Sequence, residues 1–393
     1  MNKRGSRSVT IASRIWAPEP AAAAFRLRAL ARGLVDAGAR VRVHTSRPPA
    51  ALADEADRVD SSAPFVTRRH RVRRSPDGYL RGYFQYLSFD VPLLWHLLRE
   101  PAPDIYVSEP PPTTGAVTRV VSTIKRRPYV YYAADVWSDA VKVSGVPGVV
   151  ATALRLVESW VLTGARRVIA VNADVAHRVR ELGGTDVSVV HNGVDTAVFS
   201  PSGPFSSYHG QRIFLYAGTM SEWQGCDVFI RAFAQIVDDA PDVKLVFVGQ
   251  GNAVDELARL RDELGLQSNV DIGPPVDASE VAKVQRDALA SLVSIRPGIG
   301  YDFAYPTKAM AAWACGTPVI YAGVGLAIGP INDHNLGWAC EHDEDAVARA
   351  MRAALDAGHD PSESARIATW AQDNVSLDSV ALRGSEAVLG VRR

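Results

Sequence analysis

Residues 8–45 read "SVTIASRIWAPEPAAAAFRLRALARGLVDAGARVRVHT": a short apolar run, a stretch with apolar residues at helical spacing that stops at Gly38, and a run whose apolar residues alternate. That is a strand, a helix and a strand. Two parallel strands need a crossover long enough to hold a helix, so this unit predicts a parallel sheet. The alternation continues through "DIYVSE", "PYVYYAAD", "RRVIAVN" and "VSVVHNG", separated by helical segments such as "VVATALRLVESWVLTGA".

Ser, Pro and Gly then cluster in "HNGVDTAVFSPSGPFSSYHGQR", residues 191–212, and the hydrophobic period lapses. Alternation restarts with "IFLYAG", "DVFIRAFAQIVDDA", "VKLVFVG", "AVDELARLRDELG", "NVDIGPP", "ASEVAKVQRDA" and "LASLVSI". A chain of 393 residues, 47% hydrophobic, is too long for one ordinary core. We expect an α/β protein of two doubly wound, Rossmann-like domains, residues 1–200 and 201–375, whose sheets' carboxyl ends face a cleft.

Forty-three basic residues balance 43 acidic ones, so the broad positive field of a nucleic-acid binder is missing and no nucleic-acid partner is expected. Cys226, Cys315 and Cys340 match neither a disulfide framework nor a zinc spacing, which fits a reducing cytoplasm. No His, Cys or Asp cluster has metal-ligand spacing, and no metal is expected. The N-terminus lacks the apolar core of a signal peptide, and no apolar run reaches the ~18 residues of a membrane span. "TRRHRVRRSPDGYLRGYFQYLSFDVPLLWHLLRE", residues 67–100, joins arginines to an aromatic and apolar segment. It reads either as a surface that rests on anionic lipid or as a basic strand followed by an ordinary buried helix.

A second decisive stretch is "FAYPTKAMAAWACGTPVIYAG", residues 303–323: a loop, a short helix opening at Pro306, a stop at Gly316 and a buried strand. Tyr305 is a poor N-cap, so the N–H groups of Thr307 and Lys308 lack a side-chain acceptor. A helix start readily holds a phosphate, and a lysine in the first turn has the wrong sign for helix stability. The alternative is that water satisfies the amides and Lys308 extends into solvent. In "FLYAGTMSEWQGCDVFIRAF", Gly218 ends a strand and Gly225 precedes a helix, positions where backbone can approach a ligand.

The succession "YAGTMSEWQGCDVFIRAF", "VKLVFVGQG", "NVDIGPP" and "YPTKAMAAWACGTPVI" resembles the nucleotide-sugar domain of the retaining GT-B glycosyltransferases of family four. In the first half, "WAPEPAAAAFRLRALARGLVDAGARVRVHT" resembles the family's opening loop and helix, and "SVVHNGVDTAVF" its interdomain signature. "PYVYYAADVWSDA" sits where bacterial members of the capsule and O-antigen type carry an Asp and Trp pair. "WAQDNVSLDSVALRGSEAVL" resembles the terminal helix, residues 376–393 here, that crosses back to the first domain.

The resemblance implies a GT-B fold and a metal-independent retaining transferase. Its donor would be a nucleotide-diphosphate sugar, bound as substrate rather than as a cofactor, and its acceptor a glycan, glycolipid or small molecule. The cysteine usage points to a cytoplasmic protein, and the composition of residues 67–100 would suit peripheral membrane contact if the acceptor is lipid-linked. On the donor side it points to Gly218, Thr219, Gln224, Arg296, Tyr305, Pro306, Thr307 and Lys308, with Lys308 and Arg296 neutralising diphosphate charge and Asp302 bonding sugar hydroxyls. On the acceptor side Asp135 would bind or deprotonate a hydroxyl, and the loop carrying Glu19 and Arg26 would lie close to the cleft. Each has a structural alternative: a solvated lysine, an ion pair at Arg296, a turn aspartate at 302, a helix N-cap at 135. Asn192 and Gly193 read as a turn between domains. The chain departs from the family pattern where Phe303 and Ala311 occupy the positions of two glutamates, and Thr219 and Gln224 those of an Arg and a Lys. Rival functions are a binding or scaffold protein without catalysis and a sugar-nucleotide epimerase.

Overall fold

The structure is a computed structural model that describes residues 6–19, 21–75, 80, 82–139, 148–298 and 306–391. It divides into two compact units, Met1–Asn192 with Leu377–Arg393, and Gly193–Ser376.

In the first unit, β1 (Ser8–Ala12), β2 (Arg40–Ser46), β3 (Val66–His70), β4 (Ile105–Ser108), β5 (Tyr129–Ala133), β6 (Arg167–Ala170) and β7 (Val187–Val189) form a parallel sheet in the order β3-β2-β1-β4-β5-β6-β7. Val9 pairs with Val41 on one side and Ile105 on the other, so β1 is buried between strands as its apolar run requires. The crossovers carry α1 (Ala22–Asp36), α2 (Ala53–Ser61), α3 (Tyr83–Arg99), α4 (Pro112–Lys125), α5 (Gly148–Gly164) and α6 (Ala173–Glu181).

In the second unit, β8 (Arg212–Thr219), β9 (Val243–Gln250), β10 (Val270–Gly273), β11 (Ala288–Ile295), β12 (Val319–Gly323) and β13 (Gly337–Cys340) form a parallel sheet in the order β10-β9-β8-β11-β12-β13. Its helices are α7 (Asp227–Ala234), α8 (Val254–Glu263), α9 (Ala278–Asp287), α10 (Thr307–Ala314), α11 (Ile328–His334), α12 (Glu344–Ala357) and α13 (Pro361–Asn374). Strand order reverses beside β1 in one unit and β8 in the other, the places where such sheets open a crevice at the strands' carboxyl ends.

A last helix, α14 (Leu377–Leu389), belongs to the first unit and packs on α1. Gly33 permits the approach, because a Cβ there would sit 2.5 Å from the carbonyl oxygen of Ala381. The division after Asn192 comes earlier than the expected boundary at residue 200. The Val194 N–H already donates to the Val375 carbonyl at 2.8 Å, and Phe199 packs on the cluster around Trp313. The Ser, Pro and Gly cluster is thus a loop inside the second unit. Among the described residues no helix is long and apolar enough to cross a membrane.

One buried polar cluster makes a prediction about stability. His44 Nδ1 lies 3.0 Å from His70 Nε2, while His44 Nε2 lies 3.2 Å from Glu100, which also holds Arg42 and Arg68. Burial pushes both histidines down to about 4, outweighing the attraction of Glu100. An unfolded histidine titrates near ~6.5, so the stabilisation is present above that pH and is lost as pH falls from there toward 4. Each such proton contributes a slope of at most about 1.4 kcal/mol per pH unit. The urea midpoint should fall between pH 6.5 and 5 in the parent and more gently in His44→Gln; equal slopes would assign the acid sensitivity elsewhere.

Candidate functional site

The carboxyl ends of β8 and β11 and the start of α10 enclose a cavity of about 540 Å³ in the second unit. Gly218, Thr219, Gln224, Pro306, Thr307 and Lys308 line it together, although 82 residues of sequence separate Gln224 from Pro306. The helix begins one residue later than expected. Pro306 is the N-cap rather than the first helical residue, since its ψ of 114° is extended and its carbonyl accepts from the Ala309 N–H at 3.1 Å. Proline has no side-chain acceptor, and among the described residues neither the Thr307 nor the Lys308 N–H finds one.

Lys308 is not the solvated side chain that the alternative foresaw. Nζ donates to the Tyr216 hydroxyl at 2.7 Å and lies 3.9 Å from the centre of that ring. In the amide orientation that suits Lys308, Gln224 accepts from Nζ at 3.1 Å and donates to the Tyr216 oxygen at 3.0 Å. Tyr216 in turn donates to the Thr219 carbonyl at 2.8 Å. Gly218, with φ of 131°, lets the loop close over the ammonium: its Cβ position is 3.4 Å from Lys308 Cε. Desolvation brings the ammonium down to about 7, with Cys226 pulling weakly the other way. Tyr216 was not singled out from sequence; a tyrosine inside the apolar run "IFLYAG" was its only signal.

Two buried polar atoms of residues lining the same cavity, Ser294 Oγ and Gln285 Oε1, have no partner among the described residues. They are the kind of group that a polar ligand satisfies. Ala311, at one of the two missing glutamate positions, also lines the cavity and is buried. Asp302 and Tyr305, like Phe303, lie outside the described residues. Arg296 does not line this cavity. Its guanidinium pairs with Asp227 of α7 at 3.0 Å, close against Gly225, whose carbonyl meets His342 Nε2 at 2.9 Å.

In the first unit, Asp135 follows β5 as expected but does not cap the helical turn after it. Glu158 of α5 takes that role, accepting from the Trp137 N–H at 2.8 Å and the Ser138 N–H at 2.9 Å. Asp135 is exposed as a residue, while desolvation by the surrounding protein raises its carboxyl above the ordinary range and Arg26 opposes the shift. Buried Arg26 donates to Asn192 at 2.8 Å and to Glu109 at 3.1 Å, so Asn192, the last residue before the division, is fixed by a side chain, and residues 191–193 are not the turn that was expected. Glu19 is paired with Arg74 at 2.9 Å. Sequence reading missed Arg14, buried beside these groups with its guanidinium 3.9 Å from the centre of the Tyr86 ring and with Nε and Nη1 unpartnered among the described residues. Among the described residues no group of three His, Cys, Asp or Glu side chains could hold a metal ion.

Comparison with known proteins places both units. A model of Glycosyltransferase Family 4 matches residues 23–198, and a model of the glycosyl transferases group 1 matches residues 203–371. The D-inositol 3-phosphate glycosyltransferase of Mycobacterium tuberculosis is 32% identical over 182 residues, 43% of this chain. That alignment spans about a third of the relative's length, 36%. The crystal structure of Anabaena Alr3699/HepE, solved in complex with UDP-glucose, superposes over 98% of this chain and 100% of its own with TM-score 0.68 and 18% identity. A glycosyltransferase from Rickettsia africae superposes over 98% of this chain and 99% of its own with TM-score 0.71 and 16% identity.

Proposed function

This chain belongs to the GT-B glycosyltransferases, joining a family 4 domain to a group 1 domain, and from that premise we propose that it is a retaining, metal-independent hexosyltransferase. The second unit binds a nucleotide-diphosphate sugar as substrate, with no separate cofactor, and the first binds the acceptor. The observation that carries this reading is the cavity where free helix amides, Lys308 and the orphaned Ser294 and Gln285 atoms converge. One neighbour of the same fold solved with UDP and UDP-glucose makes a uridine donor one candidate, and another solved with ADP makes an adenosine donor a second. A curated relative named for an inositol phosphate acceptor makes a phosphorylated polyol one candidate, beside an envelope glycan or glycolipid made in the cytoplasm.

In this mechanism the glycosidic bond breaks ahead of bond making. Negative charge grows on the departing diphosphate, where the Thr307 and Lys308 amides and the Lys308 ammonium stabilise it. Fixed dipoles and a half-desolvated cation need no reorganisation as that charge appears. Asp135 orients, and helps deprotonate, the acceptor hydroxyl.

A thermal-shift screen with UDP-, GDP- and ADP-sugars tests donor binding. One series at about 100 times its dissociation constant adds roughly 2.7 kcal/mol of stability, a rise of several degrees. A screen in which no sugar nucleotide shifts the melting temperature contradicts the reading. Product analysis separates the rivals: transfer yields a new glycoside, an epimerase alters the sugar nucleotide alone, and a scaffold yields neither.

A further inference from the structure

Helices α3, α4 and α5 lie side by side over the first sheet, α3 packing on α4 and α4 on α5. Their inner residues are core, among them Phe89, Leu93 and Val161. Their outer residues are apolar too. Phe84, Leu87, Val91 and Trp95 recur every three or four positions along α3, all at least half exposed, with Ile124 on α4 and Leu156 and Trp160 on α5. Nine of the sixteen large exposed apolar side chains among the described residues belong to these three helices, so they form a patch rather than the ordinary scatter.

Charge on this layer is one-sided. Its only acidic residues are Asp90 and Glu158, 3% and 1% exposed, the first bonded to Thr114 and the second to the amides of Trp137 and Ser138. Its basic residues, Arg99, Arg119, Lys125 and Arg155, all reach the surface at least in part. The Arg99 and Arg119 guanidiniums lie 3.1 Å and 4.3 Å from the ring centres of Trp95 and Trp160. In a chain with 43 residues of each sign, an outer layer without exposed acid needs an explanation.

We propose that this face rests on the anionic surface of a lipid bilayer, its apolar side chains in the acyl boundary and its cations at the phosphates. Amphipathic helices that lie in the interface have this distribution, with tryptophan at the boundary. A second copy of the chain fits less well, because two such faces would bring their unbalanced cations together. Nucleic acid would leave the apolar stripe in water. The surface is independent of the donor cavity, and vesicle binding can fail without touching the transferase reading.

The test is co-sedimentation of the full chain with vesicles of phosphatidylglycerol and phosphatidylcholine in equal parts, against phosphatidylcholine alone. The chain should bind the anionic vesicles, lose binding as salt rises, and bind neutral vesicles weakly. Each cation is worth about 1 kcal/mol at such a surface, so Arg99→Gln with Arg119→Gln should lower the partition coefficient roughly 30-fold. Trp95→Ser with Trp160→Ser should lower it as well. If the serine pair misfolds, the glutamine pair, which changes only surface side chains, still decides the question. Absence of binding to anionic vesicles, or binding that the glutamine pair leaves unchanged, overturns the proposal. So does a dimer that light scattering detects in the parent and loses in the serine pair, since a second copy would then cover the face.

Discussion

Replacing Lys308 by methionine is expected to cut kcat by about 100-fold while weakening donor binding much less. The difference arises because diphosphate charge grows as the glycosidic bond breaks, so the ammonium acts more strongly in the transition state than in the ground state. Lys308 is placed for this by the first turn of α10 and held by Tyr216, and the neighbouring Thr219 and Gln224 on the cavity lining bring no charge of their own. Its ammonium titrates at about 7 because it is desolvated. A bound diphosphate raises that value, so binding takes up a proton above neutrality and UDP affinity should fall as pH rises from 7. The methionine variant should lose this pH dependence. Arg296→Met, which breaks an ion pair with Asp227 off the cavity lining, should change kcat far less. Unaltered kcat and UDP affinity in Lys308→Met would remove Lys308 from the donor site.

Asp135→Asn is expected to slow transfer by roughly 10²- to 10⁴-fold, the range for loss of a general base, without moving UDP affinity. With Glu158 capping the helical turn, Asp135 makes no hydrogen bond among the described residues that would account for such a loss. Surrounding protein raises its carboxyl, so the acid limb of the parent's pH–rate profile should lie above the ordinary carboxylate range. Glu158→Gln provides the contrast: it should lower the melting temperature. A full rate in Asp135→Asn returns this residue to a passive place in its loop.

Strand and helix alternation was legible as far as β12 because it rests on local period, and every strand segment quoted from the sequence became part of a sheet, whereas the short β13, only half-buried, was not read. The division between units was not, because Ser, Pro and Gly mark any loop, whereas the pairing of Val194 with Val375 joins distant parts of the chain. The cavity proposed for the donor was half legible. Glycines, the proline and the lysine have positional meaning in sequence; Tyr216, which holds the lysine from 92 residues away, does not. Glu158 escaped for the same reason: its partners lie 20 and 21 residues upstream, beyond any capping pattern. Arg296 read as a candidate cation because its partner, Asp227, reads only as an acidic residue in the first turn of its own helix.

The last helix has a consequence for how the chain is made. α14 completes the first unit against α1, yet it is translated after the whole of the second. Domains usually fold as they emerge, N-terminal part first. Here the earlier unit must wait with the face around Gly33 and Leu30 uncovered while the later one, contiguous from Gly193 to Ser376, closes first. A released chain that ends at Ser376 should therefore carry a protease-resistant second unit and a protease-sensitive first one.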